Sequence, residues 1–182
     1  MAGEWKLVAL GEVGSVVTGR TPPGTLPEYF GNEIPFLTPS DMDGRRKVGE
    51  TTRFLSALGI NALQKLIVPR GVAVSCIGWQ MGKAVLIDQR CATNQQINTL
   101  IPRSDCADDL FVYYAISAQR ETIFRLGAGG SRTPILNKTG FERFQLLLPP
   151  LPEQKAIATI LGALDHKTDL NRRTNATLEA IA

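Results

Sequence analysis

The chain has 182 residues, of which 43% are hydrophobic and 20% are charged, and its formal net charge is +3. This composition indicates one folded domain with an extension, and it excludes an intrinsically disordered chain. Residues 1–150 hold 16 Lys and Arg against 13 Asp and Glu, and residues 151–182 hold 4 of each, so the positive excess lies entirely in the first block. That weak bias permits nucleic-acid binding without requiring it.

The cysteines argue against a disulfide framework. Cys76, Cys91 and Cys106 are odd in number, widely spaced and without a CxxC pair, which is typical of reduced thiols in a cytosolic protein and not of a zinc site. The N-terminus, MAGEWKLVALGEVG, lacks the charged start and long apolar stretch of a signal peptide. No apolar run approaches the roughly 20 residues of a membrane span. We therefore expect a cytoplasmic protein without membrane contact.

Short strands and a few helices are predicted in chain order. Glycine-bounded and β-branched runs predict strands at residues 5–10, 13–17, 34–38, 72–77, 83–88, 95–101 and 144–148. Ser56 is predicted to cap a short helix that runs to Leu66, Asp105 to cap a helix over residues 107–126, and Asn137 to cap a helical turn. Many short strands with few helices indicate an α+β domain that is partly barrel-like.

One helical face stands out within residues 107–126. Phe111, Tyr114, Ala115 and Ala118 follow the i, i+3, i+4, i+7 spacing of an apolar stripe. We therefore expect this face to pack against another element.

A long helix is predicted at the C-terminal end. Pro149-Pro150 ends the last strand, Pro152 opens the helix and the pattern continues to Ala182, which divides the chain into a globular domain at residues 1–149 and a helix at residues 150–182. The helix carries a heptad seam that includes Ile157, Leu161, Leu164, Asn171, Asn175 and Leu178. Seam asparagines cost stability but fix register and partner number. Two alternatives remain: the helix pairs with another helix, or it folds back on its own domain.

Motifs that would indicate an enzyme are incomplete. The segment from Gly78 to Ala84 is similar to a phosphate loop, but it is one residue short and has alanine where Ser or Thr would hold magnesium. The glycine-rich segment after Gly127 lacks the spacing of a dinucleotide site. His166 is the only histidine and lies in the C-terminal helix, so Ser–His and Cys–His dyads are unavailable to the first domain. Without clustered metal ligands either, the chain is predicted to be non-catalytic.

Polar loop residues supply the side chains that read nucleic acid. Arg pairs with guanine and Asn or Gln with adenine, while Lys, Arg, Ser and Thr hold phosphates. The candidate DNA-binding residues are Arg20, Thr21, Ser40, Arg45, Arg46, Lys47, Gln80, Lys83, Asn94, Gln95, Ser131, Arg132 and Lys138. Alternatives remain: residues 45–47 could be a solvated turn, residues 94–96 could satisfy backbone groups beside a strand, and Trp79 could be a core residue instead of a wedge.

In their order along the chain, several segments resemble the specificity subunit of type I restriction–modification enzymes. The resemblance is carried by WKLVALGE from Trp5, GRTP from Gly19, IPFLTPSD from Ile34, PRGV from Pro69, NQQIN from Asn94, PILNK from Pro134 and LPPLPEQ from Leu148. It covers nearly the whole chain. Members usually have two recognition domains and two conserved helices packed antiparallel, whereas this sequence has one of each, so it is similar to a half-subunit.

The resemblance implies a target-recognition domain that reads one half of a split double-stranded DNA site. It implies that the helix is a spacer and a docking surface for DNA adenine methyltransferase subunits, and for restriction subunits where a nuclease is present. The chain itself would bind no cofactor or metal, since S-adenosylmethionine and ATP are expected on partners. A homodimer through antiparallel helices, each about 45 Å long, would read a palindromic split site. The alternative is a decoy or assembly protein that binds methyltransferase subunits without reading DNA.

Overall fold

The structure is a computed structural model, and it describes residues 4–23, 26–128 and 133–181. In this part of the chain the strands are β1 (Lys6–Ala9), β2 (Gly14–Thr18), β3 (Phe30–Gly31), β4 (Ile34–Leu37), β5 (Arg53–Leu55), β6 (Gly71–Ser75), β7 (Ala84–Ile87), β8 (Ala92–Thr93), β9 (Ile97–Pro102) and β10 (Gln145–Leu148). The helices are α1 (Leu10–Val13), α2 (Ala57–Ala62), α3 (Asp109–Ala118), α4 (Arg120–Gly127), α5 (Lys138–Arg143) and α6 (Leu151–Ile181).

The described strands form three separate sheets. The central sheet is antiparallel in the order β2-β9-β6-β7, β1 pairs with β10, and a third sheet has the order β3-β5-β4-β8 with β4 and β8 parallel. The mixed helices and strands confirm the predicted α+β class. None of the three described sheets closes on itself, so the partly barrel-like shape is not confirmed.

All seven predicted strands are present, and their ends differ from the predicted ends by at most two residues. The strands that the sequence did not indicate are β3, β5 and β8, which have two or three residues each. Such short segments complete no recognisable alternation, so their pairing is decided by neighbouring strands and not by a local pattern.

Alternation of side chains across the central sheet divides the core into two layers. Val72 and Val74 of β6 face a cluster that includes Phe111 and Ile116 of α3. Ala73, which lies between them, faces a second cluster on the other side of the sheet. Successive strand residues point to opposite faces. Because both faces are covered, β6 is apolar along nearly its whole length.

The helix predicted over residues 107–126 begins later and is broken. The prediction of Asp105 as its cap is wrong, because Asp105 is exposed beside Arg103 while Asp108 Oδ1 accepts a hydrogen bond from the backbone N–H of Phe111 at 2.9 Å. The backbone leaves helical geometry at Gln119, which separates α3 from α4. Three aspartates near the start of one apolar run offer the same capping oxygen, so composition alone could not select among them.

Two other predicted caps are confirmed. Ser56 Oγ accepts a hydrogen bond from Gly59 N at 3.2 Å at the start of α2, and Asn137 Oδ1 accepts one from Gly140 N at 2.8 Å at the start of α5. The segment predicted to be helical up to Leu66 ends its α-helix at Ala62 and finishes in a 3₁₀ turn.

The long C-terminal helix is confirmed as α6. Its first part docks on the domain through Gln154, which is fully buried. The Gln154 amide donates to Pro149 O at 2.8 Å and Cys106 O at 3.0 Å, and its Oε1 accepts from Asp108 N at 2.9 Å. From residue 170 to residue 181 every side chain is exposed. Among the described residues, no helix is long and apolar enough to cross a membrane.

Candidate nucleic-acid interface and helix junction

Four loops meet at one end of the central sheet. Residues 19–23 follow β2, residues 76–83 follow β6 and residues 94–96 precede β9. Because β9 is antiparallel to both β2 and β6, the ends of those two strands and the start of β9 lie at the same edge. Residues 38–41 join the group through a 3.1 Å hydrogen bond from Asn94 N to the last carbonyl of β4. We call these four segments the loop cluster.

A cleft of about 380 Å³ opens within the loop cluster. Its lining side chains include Thr38, Ser40, Trp79, Gln80 and Gln96. Beside it, Gln95 Oε1 accepts hydrogen bonds from Thr21 N at 3.3 Å and Thr21 Oγ1 at 2.7 Å. Seven candidate DNA-binding residues lie in the loop cluster, and four of them, Thr21, Ser40, Gln80 and Gln95, lie in or beside this cleft.

Asp41 fixes the turn that carries Ser40. Its carboxylate accepts hydrogen bonds from the backbone and hydroxyl of Thr38 at 2.8 and 2.7 Å, and from those of Thr52 at 2.9 and 2.7 Å. Burial alone would raise the pKa of Asp41, but these donors outweigh burial and lower it. The ionised carboxylate therefore holds the loop in place and leaves Ser40 on the exposed side.

Two candidate residues stabilise the loops instead of projecting from them. Lys83 Nζ donates to Met42 O at 3.0 Å and to Gln80 Oε1 at 2.9 Å. Asn94 is buried, and its side chain bonds the backbone N–H of Gln96 at 3.1 Å and the Gln96 side chain at 3.0 Å. For Asn94 this geometry favours the alternative in which the residue satisfies polar groups beside a strand.

The basic triplet at residues 45–47 does not form one patch. Arg45 pairs with Asp43 at 2.6 Å and Lys47 with Asp88 at 2.5 Å, while Arg46 turns toward α6. Exposed pairs of this kind contribute little stability. The triplet therefore presents neutralised charges and one structural contact.

The remaining candidates lie in different places. Arg20 is exposed in the loop cluster, and its backbone N–H donates to Thr93 O at 2.9 Å. Lys138 is on α5 and pairs with Glu142 at 3.7 Å. Ser131 and Arg132 lie outside the described residues. No group of three or more His, Cys, Asp or Glu side chains that could hold a metal is found in the described parts of the chain.

A hydrogen-bonded junction that the sequence did not indicate connects α6 to the domain. Tyr114 OH donates to Asp165 Oδ2 at 2.7 Å, and Arg46 Nη1 donates to Tyr114 OH at 3.2 Å and to Gly162 O at 3.3 Å. Burial, and then the hydrogen bond to Asp165, raise the pKa of Tyr114 to about 12. In the folded chain the hydroxyl therefore keeps its proton above its ordinary pKa of 10.0. Arg46 and Tyr114 are 68 residues apart, so no local pattern could predict their contact.

An apolar groove lies between α3 and α6, beside the junction. Its lining includes Trp5, Phe111, Ala115, Ala118, Ile157 and Leu161. The predicted apolar face of α3 therefore packs as expected, and the start of α6 follows the alternative in which the helix folds back on its own domain. The seam residues Ile157 and Leu161 are half-buried here, whereas Leu164 and Leu178 stay exposed.

The arrangement of sheets, loops and one docked helix is that of known specificity subunits. The HsdS subunit from Thermoanaerobacter tengcongensis matches with a TM-score of 0.68 at 20% identity, covering 93% of this chain and 39% of that one. The type I restriction–modification S subunit from M. genitalium matches with a TM-score of 0.65 at 19% identity, covering 92% and 40%. At these identities the likeness shows the fold alone.

The chain belongs to the family of type I restriction modification DNA specificity domains, whose family model matches residues 2–180. The HindI specificity subunit of Haemophilus influenzae is 30% identical over 148 residues, which cover 80% of this chain and 32% of the relative. The MjaIX specificity subunit of Methanocaldococcus jannaschii is 24% identical over 181 residues, which cover 98% and 42%. The chain thus spans less than half the length of these relatives. The prediction of a specificity-type chain and not an enzyme is confirmed at the level of the family.

Proposed function

We propose that this chain is a non-catalytic specificity subunit that reads one half of a bipartite double-stranded DNA site. The main support is the loop cluster, where exposed and half-buried hydroxyl and amide side chains gather around one cleft in a chain of the DNA specificity family. Amide and hydroxyl groups are the donors and acceptors that read base edges in the major groove. Arg20, which is exposed beside them, is available for phosphate or guanine.

The partners of the proposed function follow from the two ends of the chain. The domain meets DNA, and α6 presents a long exposed surface to DNA methyltransferase subunits, with restriction subunits joining where a nuclease is present. In this proposal the partners bring S-adenosylmethionine for adenine methylation and ATP for restriction, and the chain itself binds neither of them. It recruits and positions the chemistry without performing it.

A second copy of the chain fits the free part of α6. The steps between successive seam residues alternate between four and three, so the spacing is the same in both chain directions. The full seam is Ile157, Leu161, Leu164, Thr168, Asn171, Asn175, Leu178 and Ala182. Two antiparallel helices therefore match along the whole seam, with Leu161 opposite Leu178 of the second copy and a two-fold axis between Asp169 and Leu170. A shift by one heptad would instead place Leu161 opposite an asparagine. This apolar match favours the fully overlapped register.

Pairing and docking meet at Leu161. Gln154, Ala158 and Asp165 face the domain, and Leu161 lies half-buried in the open groove beside α3. In the proposed pair, the exposed Leu178 of the second copy enters this groove. An unsupported helical extension of this length is marginal in water. The second copy would cover its apolar stripe and place two recognition domains about one two-fold axis.

Reconstitution with the matching methyltransferase subunits tests the proposal. We expect methylation of adenines in a split palindromic motif, read by sequencing methylated genomic DNA. Ser40→Ala and Gln80→Ala should lower modification, because they remove base-reading groups from the cleft. Gln145→Ala changes an exposed glutamine on β10, outside the loop cluster, and should have no effect. Absence of site-specific modification with any partner would contradict the proposal.

A decoy or assembly role is the second candidate, and it is motivated by the long exposed surface of α6 from residue 170 to residue 181. Such a protein would bind methyltransferase subunits without reading DNA. Arg132→Ala with Lys138→Ala separates the two roles by gel shift. Weaker DNA binding supports a reader, whereas unchanged DNA binding together with inhibited methylation supports a decoy.

A further inference from the structure

The backbone around Trp79 holds its side chain at the surface. Its side chain is 80% exposed, on a one-turn 3₁₀ helix between β6 and β7. Gly78 before it has φ +75°, a backbone conformation that favours glycine, although a Cβ there would have open space. Gly78 N donates to Pro134 O at 2.9 Å, and Met81 N donates to Gly78 O at 3.1 Å. The backbone conformation and hydrogen bonds of this turn therefore direct the indole outward.

Contacts on the protein-facing side of the indole also fix its orientation. Its ring stacks on Phe124 of α4, with centroids 5.9 Å apart and planes at 29°. Phe124 is partly buried against the main core, and Met81, two residues after Trp79, is fully buried. An aromatic pair in this geometry contributes more stability than its buried apolar area alone would give. The exposed surface of Trp79 is thus pre-organised, unlike a single exposed apolar side chain on a mobile loop.

The surroundings of Trp79 favour nucleic acid as its partner. On one side it borders the cleft that contains Ser40, Gln80 and Gln96, and on the other it borders Arg120 and Glu121 of α4. A protein-binding hot spot usually lies at the centre of a dry, well-packed patch, whereas polar and charged groups flank this indole on both sides. Rigid aromatic rings beside hydrogen-bonding side chains suit nucleic acid, because every base offers a flat face or an apolar edge.

We propose that Trp79 is a specificity-determining residue whose indole packs against a base or base step at the edge of the recognised half-site. This inference rests on the proposed function, since it places the indole beside the base-reading cleft of the loop cluster. The contact would fix the register of Ser40 and Gln80 on the duplex. It would also add affinity that does not depend on neutralising phosphates.

Two substitutions test the role of the ring. The probe is a duplex selected by the wild-type chain, with its methyltransferase subunits, from a pool of randomised duplexes. Trp79→Ala should weaken binding by about 10- to 100-fold, as expected when one aromatic–base contact is lost, whereas Trp79→Phe keeps a ring and should stay close to wild type. Leu58→Ala, which changes an exposed apolar side chain on α2, is the matched control. Thermal melts should show all three variants folded.

Salt dependence and base preference distinguish stacking from other roles. Trp79→Ala should leave the slope of log affinity against log salt unchanged, because no phosphate contact is lost, and should relax discrimination at one edge of the half-site. Unchanged DNA affinity would overturn the inference, and loss of methyltransferase binding instead would reassign the indole to a protein contact. If the wild-type complex selects no sequence at all, the proposed function itself fails. This outcome differs from one in which the wild type selects a sequence and Trp79→Ala binds it equally well, which would refute only the role of Trp79.

Discussion

Leu178→Ala should weaken self-association of the chain strongly. Leu178 is 60% exposed in the single copy, and in the proposed pair it packs against Leu161 of the second copy. Full burial of a leucine contributes about 1.5–3 kcal/mol. Burying the exposed part in both copies therefore accounts for about 2–4 kcal/mol per dimer. The dissociation constant should rise about 30- to 700-fold, as measured by sedimentation equilibrium over a dilution series.

Leu170→Ala is the matched control for this experiment. Leu170 is 56% exposed and also lies in the free part of α6, but it is outside the seam. Alanine favours helix at both positions, so neither substitution should unfold α6. Equal losses from the two variants, or a wild-type chain that stays monomeric at micromolar concentration, would refute the seam as the association surface.

Three further predictions address the register, the junction and the thiols. Leu161→Cys combined with Leu178→Cys should form a disulfide-linked dimer on mild oxidation, whereas either change alone should give little; equal cross-linking by the single variants would contradict the register. Tyr114→Phe should lower the unfolding free energy by about 0.5–1.5 kcal/mol by removing the hydrogen bond to Asp165. The pKa of Tyr114 is raised in the folded state, so folding favours the protonated hydroxyl. The stability of the wild type should therefore fall as pH rises from 10.0 to about 12, and the stability of Tyr114→Phe should fall less. Cys106, which is partly exposed, should react with thiol reagents before the two buried cysteines, as mass spectrometry would show.

The predictable part of the fold follows from local periodicity. The strands from Val72 and Lys83 and the long helix after Pro150 carry enough residues to establish a period of two or 3.6. The position of the cap at Asp108 coincides with the hydrogen bond from Asp108 N to Gln154 Oε1. That contact joins residues 46 apart in sequence, so it leaves no trace in the local pattern.

The candidate site was predicted by residue type, and the structure shows where each described residue lies. Ser40, Gln80 and Gln95 could be named because hydroxyl and amide groups in loops suit base reading. Arg46 has the same chemical type as a DNA-binding residue, yet it contacts α6. Trp79 could be a core residue or a wedge from its sequence, and only the folded turn shows that it is exposed. Side-chain direction depends on tertiary contacts, and these are not encoded in neighbouring residues.

The position of Ala158 determines the distance between the two domains of the proposed dimer. The domain is attached along the first part of α6, where Ala158 is buried, and not at the tip of the helix. With the two-fold axis between Asp169 and Leu170, the two docking points would lie about 35 Å apart at 1.5 Å per residue. One turn of duplex DNA is about 34 Å. In the proposed pair, both domains would then approach the same side of the double helix and leave the opposite side open to the proposed methyltransferase subunits.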